Sequence, residues 1–162
     1  SMARLTPHFS TNRMVREYTE RCYLPAAAAW RARSADTGRL GSELERWRGA
    51  VAEHWSRLHF GKYDVEQTGG EYRFRLQIFL DELEPDHVAA ELYAVPRTPE
   101  EPAVWPLHRG AALAGAINGF VFEGTAPADR PAEHYTARLV PSHPAARVPL
   151  ECNQILWRRR RE

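Results

Sequence analysis

A chain of 162 residues, 43% of them hydrophobic, can form one globular domain plus an accessory element, or two very small units. Twenty-two basic residues nearly balance 21 acidic ones, and a formal charge of +1 excludes a global pull on nucleic acid, an anionic membrane or an acidic substrate. No apolar run approaches the roughly 20 residues of a membrane span and no signal-peptide pattern opens the chain, so a cytoplasmic location is the expectation.

Ser1–Pro7 has no period and reads as extended. Ser10, Thr11 and Asn12 then offer side-chain oxygens to the free N–H groups of a helix's first turn. Met14, Val15, Tyr18 and Cys22 share one face of a helix expected over Asn12–Leu24, and Glu17 is spaced to pair with Arg21. Pro25 should kink or restart the helix, which continues to about Arg33 before Ser34, Gly38 and Gly41 break it. From about Ser42, the series Leu40, Leu44, Trp47, Val51, His54 or Trp55, and Leu58 follows the four-and-three spacing of a narrow apolar stripe. A short loop predicts an antiparallel helical hairpin, with Trp30 and Trp47 as candidate contacts between its arms.

After Leu58 the period changes from 3.6 to 2. His59–Gln67 and Glu71–Leu80 flank the turn Thr68-Gly69-Gly70, which predicts a β-hairpin. In the second run Tyr72, Phe74, Leu76 and Ile78 point one way, and Arg73, Arg75 and Gln77 the other. Val88–Val95 is a third strand, followed by the proline-rich connection Pro96–Pro102. Val104–His108 is expected as a short edge strand because Pro106 cannot donate to a ladder. Ala116–Thr125, with Ile117, Phe120 and Phe122 as anchors, His134–Val140, and Val148–Trp157 complete seven strands. Short strands joined by Gly/Pro turns without interleaved helices predict an antiparallel immunoglobulin-like sandwich, with Tyr135 as its corner tyrosine. The fold class is therefore α+β, with a domain boundary at the period switch: a helical segment over 1–57 and a β-sandwich over 58–162.

The opening stretch, Ser1–Ala27, resembles the last part of the catalytic region of bacterial alpha-glucan (glycogen) phosphorylases. Phe9, Ser10 and Arg13, with Tyr18 downstream, are similar to the corresponding helix start in the animal and plant enzymes. The closing segments His134–Pro144 and Val148–Trp157 resemble the C-terminus of the long bacterial branch. The resemblance implies that the chain is a C-terminal fragment of an enzyme that cleaves α-1,4-glucan with phosphate to glucose 1-phosphate. It also implies that pyridoxal phosphate, held by the parent on a lysine, belongs to a part of the enzyme absent here.

The residues themselves offer little catalytic chemistry. Lys62 is the one lysine, and its FGKYDV setting matches neither the family's cofactor motif nor a phosphate-binding glycine loop, so it reads as a surface lysine. His54 and His59, like the scattered His8, His87, His108, His134 and His143, lack metal-ligand spacing. No serine stands in a nucleophile-elbow motif. Glu82/Glu84 and Glu100/Glu101 read as solvated loop charges rather than a glycosidase pair. Cys22 and Cys152 admit a disulfide, with buried free thiols the favoured reading. Among the aromatics Tyr63, Tyr72, Tyr93, Phe120 and Trp105, core packing competes with a sugar-stacking platform, evenly so for Trp105. The arginines Arg158–Arg161 read as a solvated terminus rather than a phosphate grip.

The expectation is thus a non-catalytic accessory piece with no catalytic, cofactor or metal residues of its own. Its partner is the remainder of the phosphorylase chain, onto which Met14, Val15 and Tyr18 pack. A carbohydrate-binding module that holds α-glucan through Trp105 and a protein-interaction or homo-oligomerising domain are the alternatives.

Overall fold

The computed structural model describes residues 10–159; the expectations placed on residues 1–9, and on Arg160 and Arg161, lie outside the described residues. The chain divides into two compact units, Ser1–Glu45 and Arg46–Glu162.

In the first unit, helix α1 (Thr11–Tyr18) begins where Ser10 stays extended and its hydroxyl accepts the Arg13 N–H at 3.3 Å. A π turn follows over Thr19–Tyr23, in which the Leu24 N–H reaches back to the Thr19 carbonyl. Helix α2 (Leu24–Ser34) then continues the rod. Pro25 is the cause: it has no N–H for the Arg21 carbonyl and its ring crowds that oxygen, so the preceding turn widens. The expected kink is therefore a π turn. Asp36, Thr37 and Gly38 take φ of 50°, 57° and 80°, a left-handed run that stops α2. Gly41 sits where a Cβ would meet the Arg33 carbonyl at 3.3 Å. Helix α3 (Arg39–His54) starts here and continues past the boundary between the units.

In the second unit the apolar stripe of α3 is covered. Trp47 is 2% exposed and Val51 is fully buried, and His54 rather than Trp55 completes the stripe, with Leu58 beyond it. Seven strands follow: β1 (His59–Thr68), β2 (Glu71–Phe79), β3 (Val88–Tyr93), β4 (Val104–Ala112), β5 (Gly119–Pro127), β6 (Thr136–Pro141) and β7 (Leu156–Trp157). Every pairing is antiparallel, and the strands form one curled sheet in the order β1-β2-β5-β4-β3-β6-β7. The α+β class and seven antiparallel strands agree with the sequence reading.

The period-2 pattern decides which face is buried. Phe74, Leu76 and Ile78 of β2, Phe122 of β5, Ala90 and Leu92 of β3, and Ala137 and Leu139 of β6 all point inward and are buried. Each fully covered Leu, Ile or Phe side chain contributes on the order of 1.5–3 kcal/mol. The curl sets Phe74 against Tyr135, with ring centroids 5.6 Å apart. Tyr135 is buried, and its hydroxyl donates to the Pro127 carbonyl at 2.8 Å.

Three sequence expectations change. Val104–His108 is not an edge: β4 runs to Ala112, pairing through Val104–Leu107 with β3 and from His108 onward with β5. Pro106 lies before that switch, where one ladder is in place and a missing N–H is tolerated. Gly124 makes the crossing possible, since a Cβ there would come within 2.6 Å of the Pro106 carbonyl. The last strand shrinks to Leu156–Trp157, because Arg147 and Glu151 close a turn through Glu151 N–H to Arg147 O at 2.9 Å. Ile117 is no anchor. It is 88% exposed in the turn before β5, which Leu113 closes by donating its N–H to the Gly119 carbonyl at 2.8 Å.

Candidate docking surface

Helix α1 carries a large apolar face that nothing in its own unit covers. Met14, Val15 and Tyr18, spaced to share that face, are 53%, 54% and 55% exposed. Met14 and Tyr18, with Arg13, Glu17, Arg21 and Cys22, line a shallow groove along the helix. Glu17 pairs backward with Arg13 at 2.7 Å rather than forward with Arg21. The hydrogen bond from Arg13 and its charge hold the Glu17 carboxyl below its usual range. Cys22 is an exposed free thiol and Cys152 a buried one, so the expectation of two buried thiols holds for Cys152 alone. Burial pushes the Cys152 thiol up, away from reactive thiolate.

Charges that read as solvated loop residues are built into the second unit. In the connection between β3 and β4, Glu101 accepts from the Arg97 N–H at 2.5 Å and pairs with Arg130. The guanidinium of Arg130 is buried; it donates to the Val95 carbonyl at 2.9 Å and lies 5.6 Å over the Tyr135 ring. Arg97 also pairs with Asp129. The Arg97 N–H, ahead of the two arginine side chains, holds the Glu101 carboxyl down at about 2. The two polar turns Pro96–Pro102 and 126–131 are thereby tied together. The sequence signal was the opposed charge of Pro96–Pro102 and the Asp129-Arg130 pair, too common in loops to single out.

His54 is almost buried and bonds Asp81 at 2.9 Å, while Arg57 reaches the same carboxylate at 2.8 Å. The hydrogen bond from His54 is the main reason the Asp81 carboxyl lies below its usual range. Asp81 holds φ at 53°, and Asn118, at φ 50°, donates to the Asp81 and Leu83 carbonyls at 2.8 and 2.7 Å. This cluster locks the β2 exit to the β5 entrance and presents no nucleophile. Among the described residues no group of His, Cys, Asp and Glu is arranged to hold a metal ion.

Lys62 does not fit a pyridoxal phosphate Schiff base. It is 70% exposed on β1 and its ammonium pairs with Asp64 at 2.9 Å, whereas an amine activated for that chemistry is desolvated or set beside another cation. Trp105 is half-buried on β4, on the same side of the strand as buried Leu107, with its ring edge-on to Tyr135 at 5.1 Å. Tyr72 packs edge-on to Phe74 and Tyr135, and Phe120 lies under Arg109. The expected platform aromatics therefore do not share one surface: Tyr72 and Trp105 turn inward, while Tyr93 stands under Arg138. Arg158 covers the Tyr63 ring at 3.7 Å, so the start of the terminal arginine run packs against β1.

Comparison with known proteins bears on this geometry. Residues 52–159 match the family model described as the glycogen phosphorylase C-terminal domain. The maltodextrin phosphorylase of Thermococcus litoralis is 28% identical over 149 residues, a match covering 88% of this chain and 18% of that protein. The chain thus spans under a fifth of the relative's length. A match over 88% of the chain is longer than residues 52–159 and so runs into the helical arm. No solved structure matches the chain.

Proposed function

Because the chain belongs to the glycogen phosphorylase C-terminal domain family, we propose that it serves as the non-catalytic C-terminal part of an alpha-glucan phosphorylase. The parent would carry out phosphorolysis of α-1,4-glucan to glucose 1-phosphate, with pyridoxal phosphate held outside this chain, in the cytoplasm. The observation that carries the reading is the pair of unequal matches: the family model takes in residues 52–159, while the relative's match extends into the arm. In this reading residues 1–57 are a helical hairpin linking the parent body to an accessory domain over 58–162. The Met14, Val15 and Tyr18 face docks on that body, since a helix leaves so wide an apolar stripe open only at the cost of solvating it. The curled sheet, with Phe74 set against Tyr135 and a tyrosine hydroxyl bonded to upstream backbone, supports an immunoglobulin-like sandwich bent at β4.

The test is a phosphorolysis assay on maltoheptaose with inorganic phosphate. A phosphorylase-length chain ending in this sequence should form glucose 1-phosphate and absorb as a pyridoxal enzyme. The 162-residue chain alone should do neither, and turnover by it overturns the proposal. The same sugar titrated against tryptophan fluorescence checks the alternative of a glucan-holding module. A change lost in Trp105→Ala would favour that module; a flat titration removes it.

A further inference from the structure

Trp30 is 69% exposed on α2, the most exposed large aromatic of the arm. In an uninterrupted α-helix it would stand twelve positions from Tyr18, about 120° off the Met14, Val15 and Tyr18 face at 100° per residue. The π turn changes this. A loop closed from Leu24 back to Thr19 holds one residue more than an α turn, so it absorbs one position. About eleven positions remain, close to three turns of 3.6, and Trp30 comes back to within roughly 20° of Tyr18. Pro25, whose missing N–H and ring produce that turn, thereby decides where the tryptophan points.

We infer that the π turn Thr19–Tyr23 is a phase-setting insertion. It joins Trp30 to Met14, Val15 and Tyr18 in one apolar seam along α1 and α2, and the whole seam is covered by the upstream body of a phosphorylase-length chain. This rests on the proposed docking of the arm and extends it past the π turn to a residue sixteen positions beyond Met14. The occupant follows from two facts. The arm lies outside the matched C-terminal domain, yet the match to the relative runs into it, and four fifths of that relative has no counterpart here. Arg13 and Glu17 line the polar edge of the groove but pair with each other at 2.7 Å, so their charges offset one another alongside Met14 and Tyr18.

The experiment is hydrogen–deuterium exchange over residues 11–34 in a full-length phosphorylase carrying this sequence, comparing wild type with Trp30→Ala, Pro25→Ala, and Met14→Ala with Tyr18→Ala. The arm should be protected at all protein concentrations, and Trp30→Ala should speed its exchange about tenfold or more. Pro25→Ala is the sharper probe. Alanine favours helix, so it would slow exchange in a free arm. It should speed exchange here, because a regular α turn swings Trp30 off the seam by about 100°. If the Met14 and Tyr18 changes release the arm while Trp30→Ala and Pro25→Ala do not, the seam ends at the π turn; the inference falls and the docking reading stands. A wild-type arm that exchanges like a free helix removes both. Protection that appears only as the protein dimerises assigns the seam to a second copy and overturns the inference.

Discussion

Glu101 shows how a loop carboxylate becomes part of a fold. Its carboxyl is held at about 2, against an ordinary 4.5, so its contribution is complete above 4.5 and is lost as pH falls toward 2. Glu101→Gln should therefore flatten the fall in melting temperature across that acid range, and an unchanged slope would show that other carboxylates set it. Arg130→Ala leaves Glu101 without its buried partner and empties the space over Tyr135. Because Arg97 still holds Glu101, the loss of the Arg130 hydrogen bonds and packing should cost about 1–3 kcal/mol in denaturant unfolding. At Gly124 the constraint is space alone. Gly124→Ala drives a methyl into the Pro106 carbonyl and should destabilise by about 1–3 kcal/mol, with β4 rather than β5 giving way.

Elements were legible in the sequence where one periodicity acted alone. The stripe Leu44, Trp47, Val51 and the alternation of Phe74, Leu76 and Ile78 each lead to the observed buried face, because tertiary packing rewards what local pattern offers. Trp47→Ala should thus cost about 3–5 kcal/mol, read from the same unfolding curves. The misses fall where a longer-range rule prevailed. Pro106 reads as an edge marker until β4 is seen to serve two ladders in turn. Pro25 reads as a kink or restart and does open the helix Leu24–Ser34 in its first turn, but the widened turn before it carried no signal in the spacing. For the docking face proposed above, Met14, Val15 and Tyr18, all three exposed, were readable from spacing as a shared face. Trp30 was not, since its angular position depends on a backbone insertion that spacing does not reveal.

For the whole molecule, the units Ser1–Glu45 and Arg46–Glu162 differ in what holds them. The arm exposes Met14, Val15, Tyr18 and Trp30, whereas the second unit owns the closed core of Phe74, Leu92 and Leu139. A chain starting at Arg46 should keep a single cooperative melting transition, with a melting temperature within about 5 °C of the 162-residue chain. Loss of that transition would make the arm part of the core.

The strand shared between two ladders has a further consequence at birth on the ribosome. The β1–β2 hairpin emerges complete, but β3 leaves the exit tunnel before either of its neighbours, β4 and β6, has emerged. During that interval its backbone edges are open on both sides to any passing nascent strand.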